Sequence, residues 1–115
     1  SLASDVAAGS GGTVGVDDQE NLPASFSMSQ NYPNPFNART VINYSLPTAG
    51  NVSLEVYNLL GQRIITLADG YQDAGYKSVT WDGKNNSGQT VATGIYFYRL
   101  STSDRQITKR MLMLK

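Results

Sequence analysis

From Ser25 onward, short apolar runs alternate with turn residues about every 8–12 positions, the pattern of an all-β domain. Thr40 to Leu46 puts Ile42, Tyr44 and Leu46 on one side of a strand and Val41, Asn43 and Ser45 on the other. Pro47 ends it, because proline offers no amide to a ladder. Asn51 to Asn58 alternates again, with Val52, Leu54 and Val56 inward and Ser53, Glu55 and Tyr57 outward. The two runs read as a β-hairpin with one wet face, turning at Thr48-Ala49-Gly50. Gly61 opens a strand over Gln62 to Leu67, which Asp69-Gly70 closes, and Gly75 opens one that runs to Trp81. Gly94 starts Ile95 to Thr102, and Ser103-Asp104 turns into a last strand, about Arg105 to Leu114. Large residues occupy both faces of Ile95 to Leu100. Tyr96, Tyr98 and Leu100 are assigned inward because the other face carries Arg99. Trp81 with Val79 is the expected core centre. About seven short strands bury their inner faces best as two packed sheets. The predicted fold is all-β, an immunoglobulin-like antiparallel β-sandwich.

The segment before Ser25 follows no such period. Ala7 to Thr13 is rich in Gly, Ser and Ala, and nothing repeats at 2 or 3.6. Residues 1 to 24 therefore read as a flexible acidic linker, and residues 25 to 115 as the domain. Charge sharpens the division. Asp5, Asp17, Asp18 and Glu20 give the linker −4, while the remaining 9 basic and 5 acidic residues give the domain +4. The chain begins at Ser1 with no signal-peptide pattern, which reads as a fragment of a longer protein or a processed product.

Composition removes several chemistries. With Cys 0 and His 0, disulfides, thiolate sites, imidazole ligands and Ser-His-Asp triads are excluded. The formal net charge of +0 gives no global field for nucleic acid or anionic lipid. No run approaches the roughly 18 apolar residues of a membrane helix. Glu55, Asp69, Asp73, Asp82 and Asp104 fall on outward positions or turns, which suits no paired-carboxylate cleft. The Asp82 to Gln89 loop holds hard oxygen ligands, but Lys84 stands at the third position and Gly88 comes one residue late for a calcium loop. It reads as a polar hairpin loop. No catalytic residue, cofactor or metal site is expected.

Three stretches carry a resemblance. The first is Asn31-Tyr32-Pro33-Asn34-Pro35-Phe36-Asn37, followed by Thr40-Val41-Ile42 and Leu46-Pro47. The second is Val56-Tyr57-Asn58 with Gly61-Gln62-Arg63-Ile64 and Leu67. The third is Trp81-Asp82-Gly83, then Gly94-Ile95-Tyr96-Phe97-Tyr98-Arg99-Leu100, ending Lys109-Arg110-Met111-Leu112-Met113-Leu114-Lys115. In order and spacing the chain resembles the type A C-terminal sorting domain of the type IX (Por) secretion system. It is also similar to the immunoglobulin-like domain of the flagellar hook-capping protein. The family often has a second Pro-Thr step where this chain has Ala38-Arg39.

The resemblance implies a non-catalytic address label. Such a domain sits behind an N-terminally attached cargo, is read by the outer-membrane translocon after export to the periplasm of a Gram-negative bacterium, and is commonly cut off upstream by a sortase. The cargo ends secreted or on the cell surface. Lys109 to Lys115 are the implied translocon-recognition residues, and Asn31 to Asn37 with Gly61, Gly94 and Tyr96 the family motif. No nucleic acid and no membrane insertion are expected. The alternative is an immunoglobulin-like accessory module for adhesion or carbohydrate or protein binding, which predicts an exposed patch of Tyr57, Tyr71 and Tyr76.

Physical chemistry supplies a second reading of the same residues. Pro33 and Pro35 fix φ and bias Tyr32 and Asn34 toward extended backbone. Phe36 can then plug the open end of the sandwich while the Asn side chains satisfy turn amides. Arg105, Lys109, Arg110 and Lys115 suit either a solvated edge strand or a strand that docks onto a receptor's sheet.

Overall fold

Strands form where the alternation is strongest: β1 (Ser27–Met28), β2 (Thr40–Leu46), β3 (Gly50–Tyr57), β4 (Arg63–Gln72), β5 (Gly75–Trp81), β6 (Gly94–Ser101) and β7 (Gln106–Met113). The computed structural model describes residues 22–114, and no helix occurs among them. Residues 1 to 21 of the expected linker, and Lys115, lie outside the described residues. Pro23, inside the expected linker, is buried.

Two antiparallel sheets face each other, β1-β2-β5 and β4-β3-β6-β7. This is the expected immunoglobulin-like sandwich. Ile42, Tyr44 and Leu46 of β2 meet Val52, Leu54 and Val56 of β3 and Tyr96, Tyr98 and Leu100 of β6, all buried. Each fully buried aliphatic contributes about 1.5–3 kcal/mol, so the faces with these residues turn inward. Trp81 lies fully buried at one end of the core, its Nε1 donating to the Lys84 carbonyl at 2.9 Å. Val79 packs beside the core but is only partly buried.

Three expectations about pairing are corrected. β2 and β3 do not form a hairpin. Leu46 pairs with Gly75 of β5, and Gly50 pairs with Gln72 of β4, so the chain crosses between the sheets at Pro47 to Ala49. Alternation fixes which face of a strand is buried, not which strand lies beside it. Asp69-Gly70 does not end β4 but lies within it, opposite Ser53 and Val52. Register shifts between Leu54/Glu55 and Val56/Tyr57 mark bulges in this pairing. They bring consecutive residues, Ile64 with Ile65 and Leu67 with Ala68, against the core. Ser45, expected on the wet face, is buried because β1 runs beside it, and its Oγ donates to the Ser25 carbonyl at 2.8 Å.

Candidate functional site

The segment from Gln30 to Phe36 is built against the last strand. Asn31 is buried, and its N–H donates to the Tyr98 hydroxyl at 2.8 Å. That hydroxyl in turn donates to the Ser29 carbonyl at 3.0 Å. Asn31 Nδ2 donates to Thr40 Oγ1 at 2.9 Å and to the Pro33 carbonyl at 3.1 Å, and Thr40 Oγ1 donates to the same carbonyl at 2.9 Å. The Tyr32–Pro33 and Asn34–Pro35 peptide bonds are both cis. Tyr32 exchanges backbone bonds with Val41, while its side chain is exposed.

The segment then closes on β7. Asn34 Oδ1 accepts the Leu112 N–H at 3.0 Å. The Phe36 N–H donates to the Leu112 carbonyl at 3.0 Å, and the Leu114 N–H donates to the Phe36 carbonyl at 2.8 Å. Gln30 Nε2 adds a bond to the Arg110 carbonyl at 2.5 Å. Phe36, 2% exposed, turns inward, its ring centroid 5.6 Å from that of Trp81. This clasp occupies the outer edge of β7 from Arg110 to Leu114. Among the described residues, strand alternation then leaves the backbone of Gln106 and Thr108, and the Arg110 amide, without a partner on that edge.

The expected recognition residues therefore separate by face. Met111 and Met113 are buried in the core. Lys109 and Leu112 are half-buried, while Arg110 and Leu114 are exposed. Of the remaining motif residues, Asn37 is exposed beyond the clasp, and Gly94 starts β6 opposite Met113. Gly61 takes φ +82 in the β3–β4 turn, where Asn58 Oδ1 accepts the N–H groups of Leu60 and Gln62. Tyr96 is buried edge-on to Trp81 at 5.6 Å and donates to the Ala92 carbonyl at 2.6 Å. Burial raises its phenol pKa. Burial also raises that of Tyr98, against the opposing effect of the Asn31 hydrogen bond.

Sequence reasoning missed Tyr98, Thr40 and Gln30 as partners of the clasp. Tyr98 carried a signal, since a phenol turned into a core needs a hydrogen-bond partner. Gly83 was also unassigned. It is buried at φ +75, and a Cβ there would lie 2.9 Å from Met113 Cε, beside Phe36.

A charged cluster lies on the outer face of the larger sheet. The Tyr57 hydroxyl donates to Glu55, Arg63 donates to Glu55 Oε2 at 3.2 Å, and Arg99 donates to the Tyr57 hydroxyl at 2.7 Å. The Arg99 guanidinium also stands 4.7 Å from the Tyr57 ring centroid. The Tyr57 hydrogen bond chiefly lowers the Glu55 pKa, helped by Arg63 and Arg99 and opposed by burial. Burial first, then Glu55, raises that of Tyr57. Tyr57 is thus engaged in a network, whereas Tyr71 and Tyr76 stand 68% and 70% exposed. In the Asp82 to Gln89 loop, Asn85 Oδ1 accepts the Ser87 and Gln89 amides. Among the described residues no three Asp or Glu gather as a metal site, and no helix is long and apolar enough to cross a membrane.

The model of the FlgD Ig-like domain matches residues 37–106. The chain belongs to the FlgD Ig-like domain family. FlgD from P. aeruginosa is 30% identical over 64% of this chain and 57% of its own, with a TM-score of 0.50. Two further solved structures share the fold. Dimeric latent PorU from Porphyromonas gingivalis is 20% identical, with a TM-score of 0.60 over 80% of this chain and 10% of its own. PorZ, from the same organism, is 15% identical, with a TM-score of 0.50 over 78% of this chain and 11% of its own. This FlgD Ig-like domain thus spans about a tenth of PorU and PorZ. No curated protein matches it. The family match begins after the clasp and stops at the first residue of β7.

Proposed function

We propose that this domain is a C-terminal sorting domain of the type IX (Por) secretion system, directing an N-terminally attached cargo across the outer membrane. The observation that carries this reading is the clasp. The two segments outside the FlgD match, Asn31–Phe36 and all but the first residue of β7, are bonded to each other, and both belong to the stretches that resemble sorting domains. Folding assembles them into one surface, with Tyr32, Asn34, Arg110 and Leu114 outward and Met111 and Met113 holding it from beneath. A translocon component would read that surface, a sortase would cut upstream, and the cargo would remain at the cell surface or be released. The fold likeness to PorZ, described as an essential bacterial surface component of the type-IX secretion system, supports the same system. The role is non-catalytic.

The second reading, a hook-capping role, is favoured by the 30% identity with FlgD. It gives the clasp no task beyond stability. The test is export of a fluorescent cargo fused to the full chain in a type IX-competent strain that also supplies a signal peptide. Surface or medium signal that is lost on deleting Arg110 to Lys115 is expected. Periplasmic retention of the intact, folded fusion would remove the sorting reading.

A further inference from the structure

The outward face of an antiparallel sandwich is ordinarily polar. On β6 and β7 it is mixed, with Arg99, Thr108 and Arg110 beside three large apolar residues. Tyr96, Tyr98, Leu100, Met111 and Met113 point inward, so Ile95, Phe97 and Leu112 point outward, and all three remain half-buried. Strand register sets Arg63, Tyr57, Phe97 and Arg110 in one row across four strands. Ile95 and Leu112 form the next row. Leu59 and Leu60, in the β3–β4 turn, are 65% and 83% exposed. Two hollows lie on this face. One of about 270 Å³ is lined by Tyr57, Leu59, Phe97 and Arg99, and one of about 430 Å³ by Pro35, Ile95, Arg110 and Leu112.

Charge on this end of the face is unbalanced. Arg63 and Arg99 flank one carboxylate, Glu55, which Tyr57 and Arg63 already hold, while Arg110 stands two strands away opposite Phe97. No described residue pairs with the Arg110 guanidinium, and none meets the buried Arg99 Nε.

We propose that this face is a docking surface for an extended segment of a partner protein that combines apolar side chains with carboxylates. Apolar side chains fill the two hollows, which desolvates Phe97 and Leu112, and a carboxylate meets Arg110. The charge pattern selects a peptide over a nucleic acid. One uncommitted guanidinium matches one or two carboxylates, whereas a phosphodiester backbone brings a charge with every nucleotide. Arg110 is common to this surface and the sorting surface, but peptide binding is read on the free domain and export on the cargo fusion, so the failure of one is distinguishable from the failure of the other.

The test is NMR titration of the full ¹⁵N-labelled chain with three probes: a short peptide alternating Leu and Glu, its Leu and Lys counterpart, and oligouridylate. The Glu peptide is expected to shift the amides of Phe97, Thr108 and Leu112 saturably, and the Lys peptide to bind at least tenfold more weakly. Arg110→Glu should reverse that preference. Leu112→Ser, confirmed folded by an unchanged amide spectrum elsewhere, should abolish it. Absence of shifts at this face, equal binding of both peptides, or tighter binding of oligouridylate there would overturn the proposal. So would shifts at the same residues that depend on protein concentration alone, which would assign the face to a second copy.

Discussion

Replacing Phe36 with alanine removes the ring that closes one end of the sandwich. Phe36 is 2% exposed and packs against Trp81 at 5.6 Å, while its backbone holds Leu112 and Leu114. Truncating a buried phenylalanine costs about 3–5 kcal/mol. Small domains have only about 5–15 kcal/mol in total, so Phe36→Ala should fold with little margin. For a domain of this length, each kcal/mol lowers the melting temperature by about 4–8 °C, which predicts a fall of at least about 12 °C. Trp81, the single tryptophan, touches the altered site, so its fluorescence in a urea titration is the natural probe. The exposed neighbour Asn37→Ala is the control, expected to shift stability by no more than about 0.5 kcal/mol. A Phe36→Ala loss below about 1 kcal/mol would show that the site collapses without cost and that the plug is not a structural keystone.

Other substitutions test the supporting contacts. Tyr98→Phe leaves the buried Asn31 amide without its acceptor and should cost about 1–3 kcal/mol in urea denaturation; an unchanged midpoint would contradict the hydrogen bond. Gly61→Ala meets no atom within 4 Å, so its expected loss of about 1–2 kcal/mol comes from the backbone at φ +82 alone. Equal stability by thermal melting would refute that reading. Glu55 gives a pH signature. Its folded pKa is lowered from 4.5, so it stabilises the fold above that value and the contribution disappears as pH falls through the lower, folded pKa. Stability measured downward from pH 5 should therefore decline more steeply in the wild type than in Glu55→Gln, and parallel curves would remove the Tyr57–Glu55–Arg63 network from the explanation.

The sequence revealed strand faces well because alternation follows directly from burial. Val52, Leu54 and Val56 lie inward as their spacing required, and Tyr96, Tyr98 and Leu100 as the charge of Arg99 on the opposite face implied. Neighbour identity was less legible. β2 and β3 each satisfy the hairpin pattern, yet their backbones bond to β5 and β4, because chain proximity competes with long-range pairing that periodicity does not encode. Asp69-Gly70 carries turn residues, but an edge strand with bulges accepts them. The role of Phe36 as a plug followed from its isolation among prolines. The bond from Asn34 to Leu112 joins residues 78 positions apart and leaves no local trace. The resemblance treats Lys109 to Lys115 as one recognition stretch, and the period of 2 divides it between Lys109, Met111 and Met113 on one face and Arg110 and Leu112 on the other.

The clasp is tested most directly by amide hydrogen exchange along the outer edge of β7. Leu112 and Leu114 donate to Asn34 and Phe36, while the Thr108 amide lies on the same edge beyond the clasp. If Asn31–Phe36 and the last strand form one folded unit, Leu112 and Leu114 exchange slowly and Thr108 quickly, and Phe36→Ala removes the protection at Leu112 and Leu114. Exchange at Leu112 and Leu114 as fast as at Thr108 would mean that the last strand stands open and that the two halves of the proposed signal are not joined.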